Sequence, residues 1–279
     1  MTDNRIDRRF ARLGAEGRKG LIPYVTAGHP SPECTVPVLH ALVDAGADLL
    51  ELGVPFSDVM ADGPVIQQAC ERALQAGMTL DRVLAMVAEF RTRDDRTPLI
   101  LMGYMNPIER RGVARFAAEA AAAGVDGVLV VDCPVDESDL TLEALRGHGL
   151  HQIFLSAPTT TEARLDRLAS VAGGFIYHVS LKGVTGSRAL DADALKPALQ
   201  AIRRRSDVPV AVGFGVSTPE QACAVAECSD AVVIGSALVK RLQQADDADQ
   251  AVGIAREFLA PVRSALDAMQ SQTMGVAGR

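Results

Sequence analysis

In the stretch Glu51-Leu-Gly-Val-Pro-Phe-Ser-Asp-Val-Met-Ala-Asp-Gly-Pro64, acidic side chains stand where the pattern otherwise demands apolar ones. The run Ala47-Asp-Leu-Leu-Glu-Leu-Gly-Val54 is nearly continuous in apolar residues, as in a strand covered on both faces. Side chains on a strand alternate, so Leu49, Glu51 and Gly53 share one face and Leu50, Leu52 and Val54 the other. A carboxyl group buried on such a face has a raised pKa and can move protons near neutral pH, unless a cation neutralises it. Pro55, Gly63 and Pro64 bracket a segment too irregular for helix, and it carries Asp58 and Asp62 past the end of the strand. A rigid carboxyl on a strand and a second on a loop suit general acid–base chemistry.

Positioning such a pair requires a scaffold, and the periodicity supplies one. Strands are predicted over 20–26, 47–54, 99–104, 125–132, 152–156, 175–180, 208–213 and 230–235, with helices over 31–45, 65–76, 80–91, 113–123, 162–172, 192–203 and 218–226. Asn106-Pro107 reads as a strand terminator. Eight βα units at roughly thirty-residue spacing match an α/β (β/α)8 TIM barrel, closed by a helix over 247–268. A doubly wound sheet would carry a G-x-G-x-x-G after the first strand, and none is there. Asn4 caps an extra N-terminal helix whose Ile6, Phe10 and Leu13 form a narrow apolar stripe that must dock on one end of the domain. Residues 1–269 therefore read as one barrel domain, and 270–279 as an aperiodic tail expected to be mobile.

In this fold active sites lie just past the C-terminal ends of the strands. Lys182-Gly-Val-Thr-Gly-Ser187 follows strand six, Gly213-Phe-Gly215 strand seven and Gly235-Ser236 strand eight. Glycines let backbone N–H groups approach an anion closely, and Ser236 opens a short helix, so the three loops together predict a phosphate cradle.

The net charge of −7 and the pI near 5.3 argue against nucleic acid; the only basic cluster, Arg203-Arg204-Arg205, ends a helix. The five cysteines lack a C-x-x-C pair, which argues against zinc and disulfides and for a reducing compartment. No apolar run reaches the roughly 18 residues needed to span a membrane, and Met1–Phe10 has no signal-peptide core, so the cytoplasm is expected. The five histidines form no i, i+4 metal pair.

Glu-Leu-Gly-Val-Pro-Phe-Ser-Asp (51–58), Ala-Asp-Gly-Pro (61–64), Gly-Val-Thr-Gly (183–186), Gly-Phe-Gly (213–215) and Gly-Ser-Ala (235–237) together resemble the tryptophan synthase α-subunit family, in order and over essentially the whole chain. The resemblance implies a (β/α)8 barrel that cleaves indole-3-glycerol phosphate to indole and glyceraldehyde 3-phosphate. It implies no metal or cofactor in this subunit; indole passes to a pyridoxal-phosphate β subunit within an α2β2 complex. By position, Glu51 matches the family's general acid–base and Asp62 the carboxylate that holds the indole N–H. Tyr24 and Tyr177 match substrate-contacting aromatics, Thr185 and Gly186 the mobile loop, and Gly213, Phe214, Gly215, Gly235 and Ser236 the phosphate cradle. Pro55, Phe56 and Asp58 fall on the loop that faces the β subunit. Val59 stands where many members have proline, which is expected to loosen that loop.

Two rival readings make different demands. A Schiff-base aldolase would use Lys182, but a glycine-flanked loop cannot desolvate the amine as that chemistry needs. A barrel turned scaffold should have lost a carboxylate or a phosphate loop, and this chain keeps both.

Overall fold

The computed structural model describes residues 4–179, 192–213 and 215–277, with backbone alone at 192–194 and 270–277. Eight parallel strands close into a barrel in sequence order: β1 (Gly20–Thr26), β2 (Leu50–Gly53), β3 (Leu99–Gly103), β4 (Gly127–Val130), β5 (His151–Ser156), β6 (Ile176–Val179), β7 (Val210–Gly213) and β8 (Ala231–Ile234), which pairs back to β1. The predicted strands thus all form, with most ends trimmed by one to three residues.

The alternation expected of β2 is realised. Leu50 and Leu52 join the layer between barrel and helices, whereas Leu49 joins Ile22, Ile100, Leu129, Ile153 and Phe175 inside the barrel. Glu51 shares Leu49's parity and pairs in register with Tyr24 on β1 and Ile100 on β3.

The helix α1 (Arg5–Glu16) stops the lower end of the barrel. Its Ile6, Phe10 and Leu13 are buried in the same interior cluster, and the Phe10 and Phe175 ring centroids lie 5.6 Å apart. Asn4 caps the helix by accepting from Ile6 N–H at 2.8 Å, and its Nδ2 donates to the carbonyls of Asp126 and Gly149, both at 2.9 Å. The docking stripe read from the sequence therefore meets the N-terminal ends of the strands.

Around the barrel run α2 (Thr35–Asp44), α3 (Pro64–Gln75), α4 (Leu80–Arg91), α5 (Met105–Arg111), α6 (Val113–Ala123), α7 (Asp139–Gly147), α8 (Glu162–Val171), α9 (Ala192–Arg203), α10 (Pro219–Ala226), α11 (Ser236–Leu242) and α12 (Ala248–Ala277). Four expectations are corrected. The segment before α2 is a separate 3-10 turn, Pro32–Cys34. Asn106-Pro107 lies in the first turn of α5, where proline costs no hydrogen bond, rather than stopping the chain. Periodicity did not predict α7, because its buried stripe is only Thr141, Leu142 and Leu145 while Leu140 faces out. The closing helix α12 runs on to Ala277, beyond the expected end at 268.

A repeated device anchors the strand starts. Asp48, Asp126 and Asp230 accept backbone N–H bonds from Leu21, Leu99 and Val210 at 3.0, 2.8 and 2.8 Å, and pair with Arg263, Arg91 and Arg203 at 3.0, 2.8 and 3.1 Å. Gly46 and Gly124, at φ 99° and 94°, precede the first two of these; a Cβ on either would lie 2.5 or 2.7 Å from the stem of Arg263 or Arg91. The helix–Gly–strand junction thus both reverses the chain and seats an arginine. Asp126→Ala would strand a buried arginine and the Leu99 N–H. It is expected to cost about 3 kcal/mol in urea unfolding, whereas a change at exposed Asp95 should leave the midpoint unmoved.

Candidate active site

At the other end of the barrel the inward positions change from apolar to polar. Glu51 is 2 % exposed, and its Oε1 has no hydrogen-bond partner among the described residues. Burial, and secondarily the charge of Asp62, pushes its pKa up to about 8. Among the described residues no cation contributes, and with its pKa near 8 Glu51 carries a proton at neutral pH.

Asp62 lies half-buried on the loop between β2 and α3. Burial raises its pKa, and a hydrogen bond from the Tyr104 hydroxyl to Oδ2 at 2.7 Å opposes the rise. The charge of Asp62 adds to the burial that raises the Glu51 pKa.

Two tyrosines line the mouth. Tyr24 is buried, its hydroxyl 3.2 Å from Thr26 Oγ1, and the charges of Asp62 and Glu51 both raise its pKa. Tyr177 feels the same two carboxylates. Each ring crosses a glycine of the following strand: a Cβ on Gly53 would lie 2.1 Å from the Tyr24 hydroxyl, and one on Gly213 would lie 2.3 Å from that of Tyr177. Neither approach survives a side chain on the neighbouring strand.

Of the cradle residues, Gly213 ends β7, Gly215 follows at φ 76°, Gly235 ends the β8 turn and Ser236 opens α11. Thr185, Gly186, Phe214 and Lys182 lie outside the described residues. Pro55 is buried, Phe56 half-buried and Asp58 exposed, with Asp58 accepting from the Ser57 hydroxyl at 2.6 Å. Phe56, Asp58 and Met60 line a groove of about 590 Å³ with Gln67, Glu71 and Leu74; none of Tyr24, Glu51 or Tyr177 lines it. Val59 does not leave the loop without anchorage, because its side chain is buried with Tyr24, Ile66 and Tyr104.

Tyr104 is the site residue that the sequence reading missed. It immediately follows β3, so the strand-end rule that selected the other candidates applied to it equally. Asp132 accepts from the Met105 N–H at 2.7 Å and so orients a helix start. Among the described residues no three His, Cys, Asp or Glu side chains gather as a metal site requires, and no helix is long and apolar enough to cross a membrane.

Residues 10–267 match the sequence family of the tryptophan synthase alpha chain. The chain belongs to this family. Tryptophan synthase alpha chains from Thioalkalivibrio sulfidiphilus and Laribacter hongkongensis are 54 % and 56 % identical to it, each over 95 % of this chain and the whole of the relative. The crystal structure of tryptophan synthase subunit alpha from Legionella pneumophila superposes with a TM-score of 0.89 at 45 % identity, covering 95 % of this chain and 98 % of that one. A chain of the tryptophan synthase complex from Pyrococcus furiosus gives 0.80 at 39 % identity, over 88 % of this chain and 99 % of that one. Like the alpha chains it matches, this barrel is a lyase of tryptophan biosynthesis that cleaves indole-3-glycerol phosphate.

The Glu51 environment has a measurable sign. Its folded pKa of about 8 exceeds the ordinary 4.5, so between those values the folded state holds a proton that the unfolded chain releases. Stability from this group is complete below the lower value and is lost as pH rises through the upper. The melting temperature of Glu51→Gln relative to the parent is therefore expected to climb from pH 5 to pH 8.5, as followed by circular dichroism.

Proposed function

We propose that Glu51 and Asp62 carry the cleavage, with Glu51 as the proton donor and acceptor and Asp62 as the anchor of the indole N–H. The supporting observation is the burial of Glu51, with Oε1 unpartnered among the described residues, beside a second carboxyl whose charge raises its pKa further. Protonated Glu51 delivers its proton to indole C3, and the Asp62 carboxylate stabilises the positive charge that develops at N1. The Glu51 carboxylate then takes the proton of the adjacent glycerol hydroxyl as the carbon–carbon bond breaks. The bond pair returns to the indole ring, the hydroxyl carbon becomes the aldehyde of glyceraldehyde 3-phosphate, and Glu51 regains its proton.

Tyr24 and Tyr177 would flank the indole, with Thr185 and Gly186 on the loop that closes over it. Backbone N–H groups around Gly213, Phe214, Gly215, Gly235 and Ser236 would hold the phosphate. None of these steps calls on a metal or cofactor in this subunit; pyridoxal phosphate belongs to the β partner. Pro55, Phe56 and Asp58, beside the groove on the outer side of the Asp62 loop, form the face that docks the β subunit of an α2β2 complex in the cytoplasm.

Indole release from indole-3-glycerol phosphate, measured with and without a tryptophan synthase β subunit, tests both parts. Weak activity alone, raised strongly by the partner, is expected; full activity without it would mark a free-standing lyase. Glu51→Gln is expected to fold and bind substrate but to lose at least about 100-fold in kcat. Undiminished indole release by that variant would remove Glu51 from the chemistry.

A further inference from the structure

Building on the Glu51–Asp62 reading, we propose that Tyr104 is a positioning residue whose hydroxyl holds and orients the Asp62 carboxylate for the indole N–H. The grip has two points. The Tyr104 oxygen accepts from the backbone N–H of Ala61 at 3.2 Å, and its single proton goes to Asp62 Oδ2 at 2.7 Å. With its acceptor role met by one residue and its donor role by the next, the phenol fixes both the loop backbone and the carboxylate. No other hydrogen bond to the Asp62 carboxylate exists among the described residues, so Oδ1 is left for a ligand N–H.

The phenol itself is rigidly held. Tyr104 is 6 % exposed, follows β3 directly, and packs with Tyr24, Val59, Ile66 and Cys70. Its ring centroid lies 5.6 Å from that of Phe56 on the same loop. The remaining ties on the loop hold its backbone: Gln67 Nε2 donates to the Asp62 carbonyl at 2.8 Å and the Val59 carbonyl at 3.4 Å. Among the described residues only Tyr104 ties the Asp62 carboxylate to the barrel by a hydrogen bond.

The electrostatic surroundings make this contact decisive. Asp62 is faced by Glu51 from β2, Tyr24 from β1, Tyr177 from β6, Cys70 from α3 and Tyr104 from the end of β3. All are acids, and among the described residues none offers a positive charge. Burial works against the Asp62 charge, and the Tyr104 hydrogen bond favours it. Without that hydroxyl the carboxyl keeps its proton to higher pH and loses its fixed orientation.

Tyr104→Phe removes the hydroxyl and keeps the ring. With the β subunit present, kcat for indole release is expected to fall about tenfold while KM changes less than about twofold, and the acid limb of the pH profile to move up by about one unit. An unmoved acid limb would overturn the proposal, because a loss of packing alone lowers activity without shifting it. A second readout needs no turnover: in uncomplexed protein carrying 13C-labelled aspartate, the carboxyl resonance absent from Asp62→Asn should titrate about one unit higher in Tyr104→Phe. The reciprocal measurement, independent of whether Tyr104→Phe folds, follows the Tyr104 13Cζ signal, whose titration should drop to lower pH in Asp62→Asn. Shifted carboxyl and phenol titrations in a protein that releases no indole would uphold the Tyr104 contact and overturn the assigned reaction. Unshifted titrations in an active enzyme would do the reverse.

Discussion

A carboxyl group buried inside a closed sheet, with no cation beside it among the described residues, is the constraint on which this molecule turns. An ionised Glu51 there would be strongly disfavoured, so the group stays protonated, and a weak acid near neutral pH is what a proton shuttle needs. The eight strands close on one another, so no open sheet edge interrupts the wall around it. Below Glu51 the interior is filled by apolar side chains; above it, glycines on β2 and β7 clear space for two tyrosines. The polar site exists because the rest of the barrel is packed tightly enough to tolerate one uncompensated group.

The molecule divides its charges by end. At the strand starts, Asp48, Asp126 and Asp230 are each matched by an arginine and a backbone N–H, and they hold the sheet in register. Toward the strand ends, the carboxyl groups of Glu51 and Asp62 have no such cations among the described residues. The same residue type therefore anchors structure at one face and remains reactive at the other, according to whether a positive partner was built in.

Much of this was legible beforehand, for physical reasons particular to each element. Buried parallel strands write themselves as short apolar runs, so all eight were recoverable, and Glu51 stood out as the group such a run should not contain. Parity placed it on Leu49's face, inside the barrel. What escaped were short or proline-marked helices: α7 presents only three buried residues, and Pro107 signals a break in isolation but is accommodated in a first helical turn. The position of Tyr104 at a strand end was legible, but its contact with Asp62, forty-two positions earlier in the chain, leaves no local pattern. At Val59, where the sequence showed only the missing proline, the structure adds a side chain buried with Tyr24, Ile66 and Tyr104.

The plug formed by α1 carries a consequence for traffic. With Ile6, Phe10 and Leu13 lodged in the bottom of the barrel, that end offers no passage among the described residues. Traffic is left to the rim at the strand ends. Whatever body covers that rim thereby sets the order in which molecules come and go, and can receive a hydrophobic product before it meets water.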